Sequence, residues 1–442
     1  MNNSSEKYGI SALIPFFLFA TLYLSLSLCT GDFYSVPMTL AFLAASVSSL
    51  FLSGIRKFEH NINIYIRGMG NSNIMLMCLI FILAGVFASL AKGMGAVDST
   101  VAVARYLLPE KMMLPGVFAV SCFISLAIGT SCGTIAAVTP IAIGIAKQLG
   151  IEPEIMLGCV IGGAMFGDNI SMISDTTIAA TRTMNISMRD KFISNITFAL
   201  PAALIVLVIY LCTGPETAGT IPRITIGFSD IIRTLPYLLI LIAAVCGLNV
   251  ILLLTGAIAV SLCISFLLNT LDLKTTLSLL GKGCLDMAET AFVAILAGGM
   301  LSVVRHYGGV DYLIRKIETL IKSRLSCEAG IAVLVTAVNL FTANNTVAIV
   351  VTGPIAKVLS DKYGCSKKRI ASILDASSCI IQGLIPYGAQ MLIAIGIASG
   401  CGIKLSPGEI ISKCYYQQVL FFTMLVWIFC VNRRKNSASK QA

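Results

Sequence analysis

Long apolar runs, most of them near bilayer-spanning length and separated by short polar or basic segments, cover most of the chain. Wound as helices, runs of about 20 residues match the hydrocarbon core of a membrane. Candidate spans lie at Gly9–Cys29, Tyr34–Ser53, Ile74–Ala91, Glu154–Thr181, Phe192–Thr213, Ile232–Cys246, Asn249–Leu268, Glu289–Val304, Ile370–Ser399 and Tyr416–Val431. The first lacks a convincing signal-peptide cleavage site and counts as a span. Polar residues interrupt Glu154–Thr181 and Ile370–Ser399. Two further apolar regions, Met113–Gln148 and Cys327–Leu359, break at their centres, at Gly129–Thr134 (GTSCGT) and Thr342–Thr346 (TANNT). Each arm has roughly 15 residues, about 22 Å of helix against a core of about 30 Å, which predicts re-entrant hairpins.

The pattern repeats. Ile82-Leu83-Ala84-Gly85 returns as Ile295-Leu296-Ala297-Gly298, and Ser89, Gly95 and Val97-Asp98 return as Ser302, Gly308 and Val310-Asp311, all 213 residues on. One residue out of phase, Pro140-Ile141-Ala142 returns as Pro354-Ile355-Ala356. That register sets Thr130-Ser131 over Asn344-Asn345 and Gly167–Thr176 over Ile381–Gln390. Three spans, a hairpin and a broken span thus occur twice, in 1–213 and in 214–431. With the N-terminus inside and both hairpins folded back, 21 of the 31 basic residues fall in inside segments, Arg189, Lys191, Lys368 and Arg369 among them, as the positive-inside rule asks. Five spans then separate repeat equivalents. The halves are therefore inverted about the plane of a cell (inner) membrane, with both termini cytoplasmic. Ala96–Leu108 and Asp311–Lys322 read as interfacial amphipathic helices, and 432–442 as a basic cytoplasmic tail without order.

Composition agrees. At 57% hydrophobic, 12% charged and a mean hydropathy of +0.90, the chain reads as an all-α polytopic membrane protein. About ten spanning helices, two hairpins and two broken helices make up the expected fold. The net charge of +10 sits mostly in loops and reports orientation, not nucleic-acid binding. The 15 cysteines lie mostly within apolar runs and show no CxxC spacing, so they read as small packing residues. His60 and His306 read as solvated loop residues, Trp427 and the Tyr415-Tyr416 pair as interface anchors.

The chemistry gathers in Phe166–Thr177, FGDNISMISDTT. Asp168, Asn169, Ser171, Ser174, Asp175, Thr176 and Thr177 interrupt apolar sequence there, and polar groups at membrane depth are costly enough to mark function. Asp168 and Asp175 would share a face of a continuous helix, but Gly167, Asn169 and the hydroxyls favour unwinding. Non-helical backbone is tolerated at that depth when it is buried in protein or lines a water-filled cavity. Four interruptions converge near the midplane: the broken spans, the tip with Thr130, Ser131 and Thr134, and the tip with Asn344, Asn345 and Thr346. Carbonyls, hydroxyls and a carboxylate form a hard-oxygen cage for a small cation, and half-helix ends add dipoles. A carboxylate so placed is neutralised by a proton or by Na⁺, and mutually exclusive loading of one site suffices for antiport. Asp375, with Gln382 and Gln390 beyond it, supplies a second-half site for substrate, for a second cation or for nothing. Asp375 also fits an interfacial position beside Arg369, as Asp286 and Glu289 do at the start of a span.

These motifs resemble the NhaC-type Na⁺/H⁺ antiporter family. GTSCGT followed by FGDNISMISDTT is similar to that family's GTSWGT-like segment and FGDKLSPLSDTT. Asp375 with Leu384–Gly388 is similar to its D-x-x-T…LIPWN. The resemblance covers most of Ile74–Ser399 and implies cation/proton antiport, with Asp168, Ser171, Ser174, Asp175 and Thr176 near the ion. Asn344-Asn345-Thr346 resembles the Ser-Asn-Thr tips of the wider ion transporter superfamily, which implies Na⁺ sites in a transport domain that moves as an elevator. Asn169, Met172, Cys132 and Tyr387-Gly388 depart from the pattern, which has Lys, Pro, Trp and Trp-Asn. The departures leave a Na⁺- or H⁺-coupled carrier of a small organic acid or amino acid as the alternative. An intramembrane aspartyl protease fits less well, because residues 165–168 read Met-Phe-Gly-Asp rather than Gly-x-Gly-Asp. The expectation is a transporter without enzymatic activity or cofactor. Na⁺ and H⁺ are its cargo, Asp168 and Asp175 its Na⁺ ligands and the bilayer its medium; a homodimer stays open.

Overall fold

The computed structural model describes residues 9–30, 38–107, 109–172, 174–214, 226–245 and 248–438, and among them it is helical with no strand. Outside the described residues lie 34–37 of the second expected span, residue 173 of the polar stretch and 439–442 of the expected tail. In chain order the helices are α1 (Ile14–Thr30), α2 (Met38–Leu50), α3 (Phe58–Met69), α4 (Ser72–Gly93), α5 (Ala96–Leu107), α6 (Met113–Ile128), α7 (Ser131–Leu149), α8 (Pro153–Ile170), α9 (Asp175–Met184) and α10 (Met188–Thr213). There follow α11 (Phe228–Val245), α12 (Val250–Leu267), α13 (Leu273–Asp286), α14 (Ala288–His306), α15 (Gly309–Glu318), α16 (Arg324–Thr342), α17 (Asn345–Lys362), α18 (Lys367–Gln382), α19 (Ala389–Gly400), α20 (Pro407–Ser412) and α21 (Tyr415–Ala438). Among the described residues, seven helical stretches are long and apolar enough to cross a membrane, or eight if the pair bent by 97° at the α2–α3 junction counts as one.

The second set of helices follows the first in order, with α20 as an addition, and the packing is reciprocal. α13 lies on α4 as α3 lies on α14; α12 packs on α4 as α2 packs on α14; α19 packs on α7 as α9 packs on α17. The mates themselves meet at α4 with α14, α8 with α18 and α10 with α21. Small residues permit close crossings: a Cβ at Gly85 would lie 2.3 Å from the Gly283 carbonyl oxygen, and one at Gly68 would lie 2.6 Å from that of Gly298. The tips match too. Gly129 (φ 74°) is left-handed and Thr130 extended, and 214 residues on Ala343 (φ 48°) is left-handed and Asn344 extended.

Several expectations change. The segments at α3 and α13 were expected to be loops, because Glu59, His60, Asn63, Arg67, Lys274 and Lys282 dilute their hydropathy. They are helices with narrow buried faces, Asn61, Tyr65 and Gly68 on one and Thr276 and Gly283 on the other. The hairpin arms are also longer than expected: α7 and α16 have 19 residues each, about 28 Å at helical rise, so length alone does not fold them back. Contact does. Tyr363 Oη, just past α17, donates to the Ile321 carbonyl just before α16 at 2.9 Å. In the first half, Met113 and Ile145 line one apolar cavity. Tyr416 is fully buried and so does not serve as an interface anchor, and Trp427 packs against Arg369, 4.0 Å from guanidinium to ring centroid. α21 continues to Ala438, into the stretch read as an unordered tail.

Candidate functional site

A cavity of about 110 Å³ lies where α6 gives way to α7, α8 to α9, α16 to α17 and α18 to α19, and residues of all four breaks line it. Asp168, at the end of α8 and 5% exposed, is its buried carboxylate. Ser174 Oγ donates to Oδ1 at 2.7 Å, Ser131 Oγ to Oδ2 at 3.0 Å, and Asn345 Nδ2 to Oδ2 at 3.4 Å. The shell continues outward. Ser174 and Thr176 hydroxyls are 2.7 Å apart; Gln390 Nε2 donates to Ser131 Oγ at 3.0 Å; Gln382 Nε2 donates to Gln390 Oε1 at 2.7 Å and to the Ala343 carbonyl at 3.1 Å. Gln382 Oε1 is buried with no hydrogen-bond partner. Four helices end here with carbonyls and four begin with N–H groups, so fixed partial charges of both signs face the space. No lysine, arginine or histidine is among the residues lining the cavity.

Of the residues singled out from sequence, Thr130, Ser131, Asp168, Asp175, Thr176, Asn344, Asn345, Thr346 and Gln382 line this space, with Ser174 bonded to Asp168 beside it. Asp175 lines it from an exposed position at the first residue of α9. Asn344 spends its Oδ1 as the cap of α17, accepting from Val347 N at 2.9 Å. Thr134 Oγ1 turns back to the Thr130 carbonyl at 3.0 Å, and Ser171 Oγ donates to the Leu126 carbonyl at 3.0 Å.

Asn169 and Asp375 belong to a second buried cluster. The ammonium of Lys191, 0% exposed, lies 2.7 Å from Asp375 Oδ2 and donates to the Asn169 carbonyl at 2.5 Å and to Thr177 Oγ1 at 2.6 Å. Lys191 was expected in a basic loop and is instead wholly buried. Asp375 is likewise wholly buried and is not paired with Arg369, which binds Glu328 at 2.6 and 3.0 Å. The available signal was the spacing of Lys191 and Asn195, four apart on one face of α10. Met77 and Cys132, not named as ligands from sequence, also line the first cavity, as does Gln390. A further cavity of about 170 Å³ shares Met77, Ala343 and Asn344 with it and extends past Asn71, Ser302 and Arg305.

The model of the Na⁺/H⁺ antiporter family matches residues 10–215 and 220–428. The chain belongs to that family. The Na⁺/H⁺ antiporter NhaC of Bacillus subtilis (strain 168) is 25% identical to this antiporter-family chain over 366 residues, 74% of this chain and 79% of the relative. The protein of the same name from Alkalihalophilus pseudofirmus is 22% identical over 293 residues, 59% and 63% of the two chains. The malate-2H⁺/Na⁺-lactate antiporter of Bacillus subtilis is 20% identical over 408 residues, 85% and 86% of the two chains. This family member is a multi-pass membrane protein whose named relatives are antiporters rather than enzymes.

Proposed function

We propose that the chain exchanges Na⁺ for H⁺ at Asp168, cytoplasmic Na⁺ leaving as external H⁺ enters. The observation that carries this reading is the charge balance of the cavity: a carboxylate 5% exposed, held by hydroxyls and an amide, with no basic side chain lining the space. A charge at membrane depth has to be compensated, and here only something that enters can do so. Asp168, Ser131, Ser174, Thr176 and the unpartnered Oε1 of Gln382 would hold a small cation, and Asp175 would draw it in. A proton on Asp168 removes the charge that binds the cation, so the two compete, and loading by one releases the other.

The halves 1–213 and 214–431 would be inverted across a cell (inner) membrane with both termini cytoplasmic. Reciprocal packing and the placement of basic loops support that arrangement. A coupled carrier of a small organic acid or amino acid is the second reading. What favours it is the adjoining cavity with Asn71, Ser302 and Arg305, wide enough for more than an ion and able to pair a carboxylate. The malate-2H⁺/Na⁺-lactate relative is in keeping with it. Proteoliposomes carrying a pH-sensitive dye decide between them: Na⁺ pulses alone move protons in the first case, and only together with an organic acid or amino acid in the second.

A further inference from the structure

The ammonium of Lys191 sits in a cage of buried oxygen acceptors. A backbone carbonyl (Asn169), a hydroxyl (Thr177) and a carboxylate oxygen (Asp375 Oδ2) surround the ammonium at 2.5, 2.6 and 2.7 Å. The first two are hydrogen bonds and the third is an ion pair. Asn195 Nδ2 adds bonds to Asn169 Oδ1 at 2.5 Å, to the Asn169 carbonyl at 3.0 Å and to Asp375 Oδ2 at 2.8 Å. Asp375 Oδ1, Asn195 Oδ1 and Asn169 Nδ2, all in residues 0% exposed, remain without a partner. Carbonyl, hydroxyl and carboxylate oxygens with no nitrogen or sulfur ligand are the donor set of a hard monovalent or divalent cation. The cluster also joins four helices: α8 through Asn169, α9 through Thr177, α10 through Lys191 and Asn195, and α18 through Asp375.

We propose that this cluster is a second alkali-cation site whose occupant is the ammonium of Lys191, so that the chain carries its second cation covalently. Charge bookkeeping gives the consequence. Asp168, Asp375 and Lys191 sum to a single negative charge, which one Na⁺ or one H⁺ at Asp168 neutralises. Lys191 thereby limits the buried sites to one exchangeable alkali cation, and removing its side chain opens a place for another.

The test is equilibrium ²²Na⁺ binding to the purified full chain, with size-exclusion profiles and thermal melts in NaCl and in choline chloride. Lys191→Ala should bind one more Na⁺ per chain than the unsubstituted protein, and its melting temperature should rise with NaCl but not with choline chloride. Lys191→Ala/Asp375→Asn should lose both effects. On an Asp168→Asn background Lys191→Ala should still bind Na⁺, whether or not Asp168 exchanges protons, which separates this proposal from the function proposed above. A folded Lys191→Ala protein with no added Na⁺ equivalent overturns the proposal. So does a Lys191→Ala protein that cannot be recovered in NaCl while Lys191→Ala/Asp375→Asn can, because Na⁺ then fails to take the ammonium's place beside Asp375.

Discussion

Asn345 Nδ2 reaches Asp168 Oδ2 at 3.4 Å across 177 residues of sequence, so the tip of the second hairpin touches the carboxylate of the first broken helix. Its neighbour Asn344 faces the backbone instead, capping α17 through Val347 N. Adjacent asparagines at one tip therefore differ in role. Asn345→Ala should raise the apparent Na⁺ constant several-fold with little change in melting temperature. Asn344→Ala should cost about 1 kcal/mol of stability, the usual value of a lost N-cap, with a smaller effect on binding. Paired ²²Na⁺ isotherms and thermal melts measure both, and the opposite ordering would reverse the assignment.

Ser131 lies closer to Asp168, at 3.0 Å. A hydrogen bond to a charged group is worth about 1.5–3 kcal/mol, so Ser131→Ala should raise the apparent Na⁺ constant by roughly tenfold or more, each 1.4 kcal/mol being tenfold. Ser131→Thr keeps a hydroxyl and should recover part of the loss. Equal constants for Ser131→Ala and the unsubstituted protein would remove Ser131 from the site.

The four breaks were legible because polar residues inside apolar runs stand out at a glance, and Asp168, Ser131 and Ser174, which the structure brings into contact, were singled out that way. Lys191 was not. It follows Arg189 and Asp190 near a helix start, where a basic residue reads as loop, and the acid that explains its burial is 184 residues away. α3 and α13 escaped for a related reason: each buries only a narrow stripe against a partner helix, and no average over a window detects a stripe. The hairpin expectation rested on an argument about arm length that arms of 19 residues do not support; in the structure the Tyr363–Ile321 hydrogen bond joins the outer ends of α16 and α17.

That contact has a topological consequence. Lys322 and Lys367 flank the α16–α17 pair, and Tyr363 ties the two ends of the pair together. Single cysteines introduced beside Lys322 and beside Lys367, in a background whose exposed native cysteines are replaced, should label from the same side of intact cells or oriented vesicles. Labelling from opposite sides would make α16–α17 a through-going span and would cancel the inverted arrangement.

Ala343 occupies a left-handed conformation, φ 48°, that its mate Gly129 adopts without a Cβ. For an L-residue with a side chain that conformation costs about 1–2 kcal/mol, and glycine adopts it freely, though at some cost in unfolded-chain entropy. Ala343→Gly should therefore leave stability unchanged or raise it by up to about 1 kcal/mol, whereas Gly129→Ala should lower it by about 1–2 kcal/mol. Melting temperatures in detergent test the asymmetry. A destabilised Ala343→Gly would mean that the alanine methyl packs in a way that outweighs its strain.

Asp168→Asn tests the antiport itself. Lys191 pairs with Asp375, so the substitution leaves no buried lysine unpaired, and the variant should fold. Asparagine keeps the shape and one oxygen but cannot carry an exchangeable proton. Na⁺-driven proton flux should vanish, with size-exclusion profiles unchanged. Under the proposed exchange, proton and Na⁺ compete for one carboxylate in the unsubstituted protein. Raising the pH at fixed Na⁺ should then lower the apparent Na⁺ constant by up to about tenfold per pH unit, equivalent to about 1.4 kcal/mol, until the carboxylate is fully charged and the constant levels off. In Asp168→Asn any residual Na⁺ binding should lose this dependence. Asp175→Asn separates the two acids: flux lost with pH dependence retained in binding would place Asp175 on the entry path, as its exposed position suggests. Near-normal Na⁺-driven proton flux in folded Asp168→Asn would falsify the assignment of Asp168 as the exchanging group and move the search to Asp175 and Asp375.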